Sequence, residues 1–342
     1  MNRRISVAFG LVVALLVTAC GGGGSVSPSG SVAPSSTAQV RQALTVGLGY
    51  IPSVQFAPFY LADQAGYYRD AGLDVTFQNK IDPDLVTLVG QGSIDVGLAD
   101  GTSLIPAVSQ GIPVRYIATI YRDFPSIVFS RTASGIATAA DLKGKKIGIP
   151  GRYGSSWIML QALLGSANLT PDDVEIVEYP DFGQGAAVQQ GAVDAATGFA
   201  NNEPVQLQLA GIPTTVLHVD QIVPLPGPGL ISGTATLSSK QPAIAAFVKA
   251  TLRAMQDIAT NPEKGLDAAI TAVPDLASDR ATQKAILEAT VAAWQGAGSG
   301  APALGAIDSA SWSASLEFMT TLGLVPNPVK VEDLIRSDLL PR

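Results

Sequence analysis

Four short stretches concentrate the side chains able to grip a small molecule. Tyr50-Ile-Pro-Ser-Val-Gln-Phe56 offers two rings and an amide, and Tyr121-Arg-Asp123 a ring, a cation and a carboxylate. Gly151-Arg-Tyr-Gly-Ser-Ser-Trp157 brings glycines, hydroxyls and two more rings, and Asn201-Asn-Glu203 two amides and an acid. The candidate flat faces are Tyr50, Phe56, Tyr121, Tyr153 and Trp157. The candidate polar readers are Gln55, Asp100, Asp123, Asn201, Asn202 and Glu203, with Gly154 and Ser155 placed to present backbone N–H groups to ligand oxygens. Rings stack on planar molecules and amides and carboxylates read their edges, so this set suits holding a flat molecule rather than converting one.

Each candidate also has a plainer reading. Phe56, Phe59 and Tyr60 can pack a helix onto a sheet, and Trp157 can do the same. Residues 151–156 can be a tight strand–helix turn. Asn202 can cap a helix, with Glu203 favoured by the helix dipole. Arg122 and Arg152 sit in turns where they could clamp an anion, or pair with nearby acids. Catalysis has little to work with. There is one histidine, His218, inside an apolar strand, and one cysteine, Cys20, and no metal cluster or nucleophile–base pair is visible. The glycine-rich turn lacks the Gly-Lys-Ser/Thr of a phosphate loop. The chain is therefore read as a non-enzyme with no cofactor and no metal.

The candidates fall where strands feed helices. Strand 44–48 runs to a helix starting near Phe56, with Pro58 in its first turn, where a missing N–H costs little. Strand 94–99 ends at Asp100, and strand 114–121 at Tyr121. Strand 146–149 runs into 151–156 and a helix over 157–167. Strand 195–199 runs through Asn201–Pro204 into a helix over 205–210. Such corners are the usual ligand-facing edge of an α/β sheet. The alternating rhythm predicts mostly parallel sheets with helices on both faces. A strand is expected over 230–237, and helical spacing fills 243–260, 264–273, 279–294 and 309–322. The reading is two α/β lobes with a double crossover hinge: lobe 1 over 41–128 and 232–342, lobe 2 over 129–231. The crossovers are expected at 126–131 and 231–235.

The N-terminus reads as a targeting segment. Arg3 and Arg4 precede an apolar run over 5–16, too short for a comfortable span, and then Val17-Thr-Ala-Cys20. This looks like a bacterial lipobox, in which residues 1–19 are removed and Cys20 is acylated. Losing Arg3 and Arg4 takes the formal charge from −7 to −9. With a pI of about 4.7, nucleic acid is not an expected partner. Residues 21–36 are almost all Gly, Ser, Pro and other small residues, so 20–40 is expected to be a flexible tether, spanning roughly 25 Å. Lipid plus tether implies a domain anchored to the extracytoplasmic face of the cell membrane, not crossing it.

At this point the residues resemble a family. Phe56-Ala-Pro-Phe-Tyr60, Ala65-Gly-Tyr-Tyr68, Gly72-Leu-Asp-Val75, Gly90-Gln-Gly-Ser-Ile-Asp-Val96 and Asp141-Leu-Lys-Gly-Lys-Lys-Ile-Gly148 are similar to the NMT1/THI5-like solute-binding proteins, over roughly residues 44–240. Tyr50–Phe56, Tyr121–Pro125 and Gly198–Pro204 resemble more narrowly the lipoproteins that deliver riboflavin to an ABC-type importer. The resemblance implies a periplasmic-binding-protein-like (type II) fold of two mixed sheets. It also implies a monomer that closes its lobes over riboflavin and docks on a membrane permease. Thiamine pyrimidine-precursor binders share the Asn-Asn-Glu-Pro segment, so that ligand stays open, as does a small anion such as a sulfonate. A fungal pyrimidine synthase shares the architecture, but its chemistry relies on histidine and cysteine residues.

Overall fold

The computed structural model describes residues 40–79, 85–222, 225–296 and 303–341. The expected leader, Cys20 and nearly all of the tether lie outside the described residues. Ten strands are described: β1 (Gln42–Gly47), β2 (Leu73–Gln78), β3 (Val96–Ala99), β4 (Val114–Thr119), β5 (Ser126–Arg131), β6 (Lys146–Ile149), β7 (Glu175–Glu178), β8 (Ala195–Phe199), β9 (Thr214–His218) and β10 (Gly229–Gly233). They form two five-stranded sheets, in the orders β2-β1-β3-β10-β4 and β7-β6-β8-β5-β9.

Both sheets are mixed in the same way. β1 pairs parallel with β2 and β3, while β10 runs antiparallel between β3 and β4. β6 pairs parallel with β7 and β8, while β5 runs antiparallel between β8 and β9. Each reversed strand is the first one after the chain changes sheets. The chain leaves a sheet at the carboxyl ends of its parallel strands and enters the other at the same end, so the strand it delivers must run backwards. Two connections carry these crossings, residues 120–125 and 219–228. They touch: the N–H groups of Ile120 and Tyr121 both donate to Pro228 O, at 3.1 and 2.8 Å.

The crossings therefore lie beside the strands expected to hold them. Boundaries at 128/129 and 231/232 would cut β5 and β10, which lie wholly within the second and first sheets. The strand expected over 230–237 stops at Gly233. A helix, Thr234–Thr260, starts at once and is kinked at Lys240, two residues before Pro242. Lys240 is tied down at the kink, its Nζ donating to Asp95 Oδ1 at 2.8 Å.

Lobe 1 is built around aromatic packing. Phe247 stacks on Tyr68 and Phe59, at 5.0 and 6.4 Å between ring centres. Phe59 and Tyr60 are buried there, which is their plainer reading. Lobe 2 packs the helix Gly154–Ser166 through Leu160, Leu163 and Leu164 onto Ile147 and Ile149 of β6. Burying each such side chain stabilises the fold by about 1.5–3 kcal/mol. Among the described residues no helix is long and apolar enough to cross a membrane.

Candidate functional site

The carboxyl ends of the parallel strands of both sheets face one cavity of about 240 Å³. There backbone groups leave the strand ladder and helices begin, so side chains and N–H groups are free to meet a ligand. The segment after β1 supplies Tyr50, Gln55 and Phe56; after β3 comes Asp100, and after β4 Tyr121. From the second sheet come Tyr153, Gly154 and Ser155 after β6, Phe182 and Gln184 after β7, Phe199 at the end of β8, and Asn202 and Glu203 after it.

Gln55 sits on a one-turn helix capped by Ser53, whose Oγ accepts from Gln55 N at 3.3 Å. Its Oε1 accepts from Asn201 Nδ2 at 2.9 Å and from the Tyr121 hydroxyl at 3.4 Å. Asn201 also donates to Thr290 Oγ1 at 2.7 Å. Asn201 thus stands behind Gln55 and orients it, and does not line the cavity.

Asp100 caps the helix Gly101–Ser109, its Oδ1 accepting from Thr102 N and Ser103 N at 3.0 and 3.2 Å. Burial pushes its carboxyl above the usual carboxylate range, against bonds from Thr102, Ser103 and, from the other lobe, Ser155. Glu203 opens the helix Glu203–Leu209, and its Oε2 accepts from Phe199 N at 2.8 Å. Gly198 makes room for it, since a Cβ there would come within 2.7 Å of Oε2. Asn202 does not cap this helix with its side chain; its Oδ1 accepts from Gln206 Nε2 at 2.8 Å. Tyr50 spans the cleft, its ring edge-on to Phe182 at 4.8 Å. Burial first and then the Glu203 carboxyl push its hydroxyl pKa up, against a bond from Asn202.

Burial likewise holds the Glu203 carboxyl above its usual value. A carboxyl raised in the folded state binds its proton more tightly folded than unfolded. It therefore costs nothing below the ordinary carboxylate range, and stability falls as pH rises through that range to the raised value. Glu203→Gln keeps an acceptor for Phe199 N and removes the charge. Thermal melts of ligand-free protein should show this variant ~2–4 °C above wild type at pH 8, corresponding to about 1 kcal/mol, with the gap closing at pH 4. A gap of equal size at both pH values would contradict the assignment.

Five expected residues lie elsewhere. Arg122 turns toward the end of the helix Arg280–Gln295, Nη1 donating to Gln295 O at 3.1 Å. Asp123 lines a separate shallow depression with Ala289 and Gln295. Arg152 pairs with Glu178 at 3.3 Å and lies 5.1 Å over the Trp157 ring, so neither it nor Trp157 faces the cavity. Asn201 is the fifth, as described above. His218 is half-buried on β9, its Nδ1 3.6 Å from Asp220 Oδ1. Among the described residues no group of His, Cys, Asp and Glu side chains is placed to hold a metal.

Phe182, Gln184 and Phe199 line the cavity and were not singled out from sequence. An aromatic at the end of a strand or a few residues past it was the available signal for Phe199 and Phe182. Phe182 holds φ at +61°, a strained backbone for a bulky residue and one that clusters at ligand sites. Gln184 had no signal, because a helix-starting glutamine resembles any other. Among the described lining residues there is no Lys, Arg or His, and there are two carboxyls.

The family model for NMT1/THI5-like proteins matches residues 53–265. The chain belongs to the NMT1/THI5-like family. That match takes in every described cavity-lining residue except Leu48, Gly49 and Tyr50. This NMT1/THI5-like chain is 32% identical to the riboflavin-binding protein RibY of Chloroflexus aurantiacus, over 100% of its own length and 99% of that protein's. It is 25% identical to a 4-amino-5-hydroxymethyl-2-methylpyrimidine phosphate synthase of Legionella pneumophila, over 54% of this chain and 58% of the synthase. Among solved structures, the alkanesulfonate-binding protein SsuA of Xanthomonas axonopodis superposes with a TM-score of 0.67, at 19% identity, covering 86% of this chain and 98% of that one. The fold is that of the periplasmic binding proteins, and the chain is a solute-binding protein.

Proposed function

We propose that this protein captures riboflavin between its lobes and delivers it to an ABC-type permease. The observation that carries the reading is the cavity lining: rings from both lobes, amides, hydroxyls and two carboxyls, with no basic side chain among the described residues. Full-length similarity to a riboflavin-binding protein supports the same ligand. Riboflavin pairs a flat ring system with a polyol tail. The ring suits Tyr50, Phe56, Phe182 and Phe199; the hydroxyls suit Asp100, Glu203, Gln55 and Ser155.

Capture is a hinge closure. The two touching connections absorb the dihedral change, and the Tyr50–Phe182 and Asp100–Ser155 contacts close across the cleft. Acylation of Cys20 would anchor the domain to the extracytoplasmic face of the cell membrane, and the acidic, small-residue-tethered domain would work there as a monomer. No step of bond chemistry is assigned to it. A sulfonate is disfavoured because no Lys, Arg or His among the described lining residues is there to offset its charge.

Riboflavin titrated into the purified protein should lose its fluorescence saturably, and Arg122→Ala and Arg152→Ala should bind as wild type does. The riboflavin reading fails if the fluorescence is unchanged while a methylpyrimidine raises the melting temperature. Loss of binding in both arginine variants would favour an anion site instead.

A further inference from the structure

We infer that Gln184 is the specificity-determining residue of the cleft, its amide oxygen accepting the imide N–H of a flat heterocycle. This rests on the riboflavin reading above and adds which edge of the ring is read, and by what. Gln184 is 2% exposed, and its side chain lines the cavity. Its Nε2 donates to Thr197 O at 3.3 Å, which fixes the amide's orientation. Its Oε1 has no hydrogen-bond partner within the protein. Buried amide oxygens are nearly always paired, so an unpaired one on a cavity-lining residue marks a place for a ligand donor.

The neighbourhood selects the kind of donor. Gln184 lies against the end of β6, where a Cβ on Gly148 would come within 3.1 Å of its own Cβ. That strand leads into the helix Gly154–Ser166, whose N-cap Tyr153 makes no side-chain cap bond. Gly154, Ser155 and Ser156 of that first turn line the cavity, and helix geometry leaves their backbone N–H groups without an intrahelical acceptor. An acceptor and a set of donors on the walls of one cavity are the complement of an edge that reads acceptor–donor–acceptor. The imide of an isoalloxazine, two carbonyls flanking an N–H, is such an edge. Phe182 and Phe199 supply apolar walls for the ring that carries it.

The test compares riboflavin with its N3-methyl derivative by fluorescence titration, in wild type and in Gln184→Leu, which keeps the side-chain volume. Wild type is expected to bind the methylated flavin at least about tenfold more weakly, because the acceptor then faces no donor. Gln184→Leu is expected to weaken riboflavin binding by a similar factor and to bind the two flavins equally. If wild type binds both flavins alike, the inference is overturned whether or not the variant folds. If Gln184→Leu still rejects the methylated flavin tenfold, the rejection is steric and the inference is overturned as well. If wild type binds neither flavin, the riboflavin reading itself falls and takes this one with it.

Discussion

Tyr50→Ala is expected to lower riboflavin affinity by about 10- to 100-fold, the worth of one aromatic face against a planar ring system. Tyr50 follows β1 directly and is the lobe 1 ring that crosses the cleft, edge-on to Phe182 at 4.8 Å and to Phe56 at 6.5 Å. It is only partly buried, so its loss should cost less stability than a core aromatic and leave the domain folded. Tyr50→Phe keeps the ring and should stay within about threefold of wild type, because the ring rather than the hydroxyl does the binding. Trp157→Ala should leave affinity unchanged, since that ring faces Arg152 and the lobe 2 core. Fluorescence titration of the three variants decides the matter. Wild-type affinity in Tyr50→Ala, or loss confined to Trp157→Ala, would move the ring-binding face away from β1.

The hinge offers the largest stability effect. Gly227 lies where the two crossing connections touch, and a Cβ there would sit 2.2 Å from the Tyr121 carbonyl oxygen and 3.3 Å from that of Asp123. Both obstacles are backbone, so neither can swing aside as a flexible side chain would. Gly227→Ala must push the connections apart, straining the hydrogen bonds from Ile120 and Tyr121 to Pro228. The expected cost is about 3 kcal/mol, a fall of roughly 6–10 °C in Tm. Gly165→Ala is the contrast: it lies in the helix Gly154–Ser166 with nothing within 4 Å of the added carbon. There alanine should add about 0.5–1 kcal/mol through helix propensity. Equal melting temperatures for the two variants would show that the connections do not pack as described. Because Tyr121 also lines the cavity, Gly227→Ala should weaken riboflavin binding as well, whereas Gly165→Ala should not.

The comparison of sequence with structure turns on particular residues. Asp100 and Glu203 were legible because each follows an apolar strand and opens a helix, a pattern set by local hydrogen bonding. Tyr50, Gln55 and Phe56 were legible for the same reason. Arg122 and Arg152 have equally suggestive places in the chain, yet each finds a partner away from the cavity. A long, flexible cation goes to whichever acceptor packing brings near, and sequence spacing carries no record of that. Asn201 and Asn202 are adjacent in a single motif, and one supports Gln55 while the other faces the cleft. The crossings were misplaced by a few residues because β10 throughout, and β5 up to Arg131, are buried and read like any apolar connection between lobes.

Local patterns in the chain encode the α/β alternation, the two-lobed plan, the family and the strand-end positions from which ligand groups project. These follow from local periodicity, capping and turn residues, which act over a few residues of chain. Which of those groups converge was set by long-range packing. It reversed β5 and β10 in their sheets, brought Tyr50 against Phe182, set Asn201 behind Gln55 and left the oxygen of cavity-lining Gln184 without a partner. Each of these depends on contacts between residues some tens to well over a hundred positions apart, which no local pattern encodes.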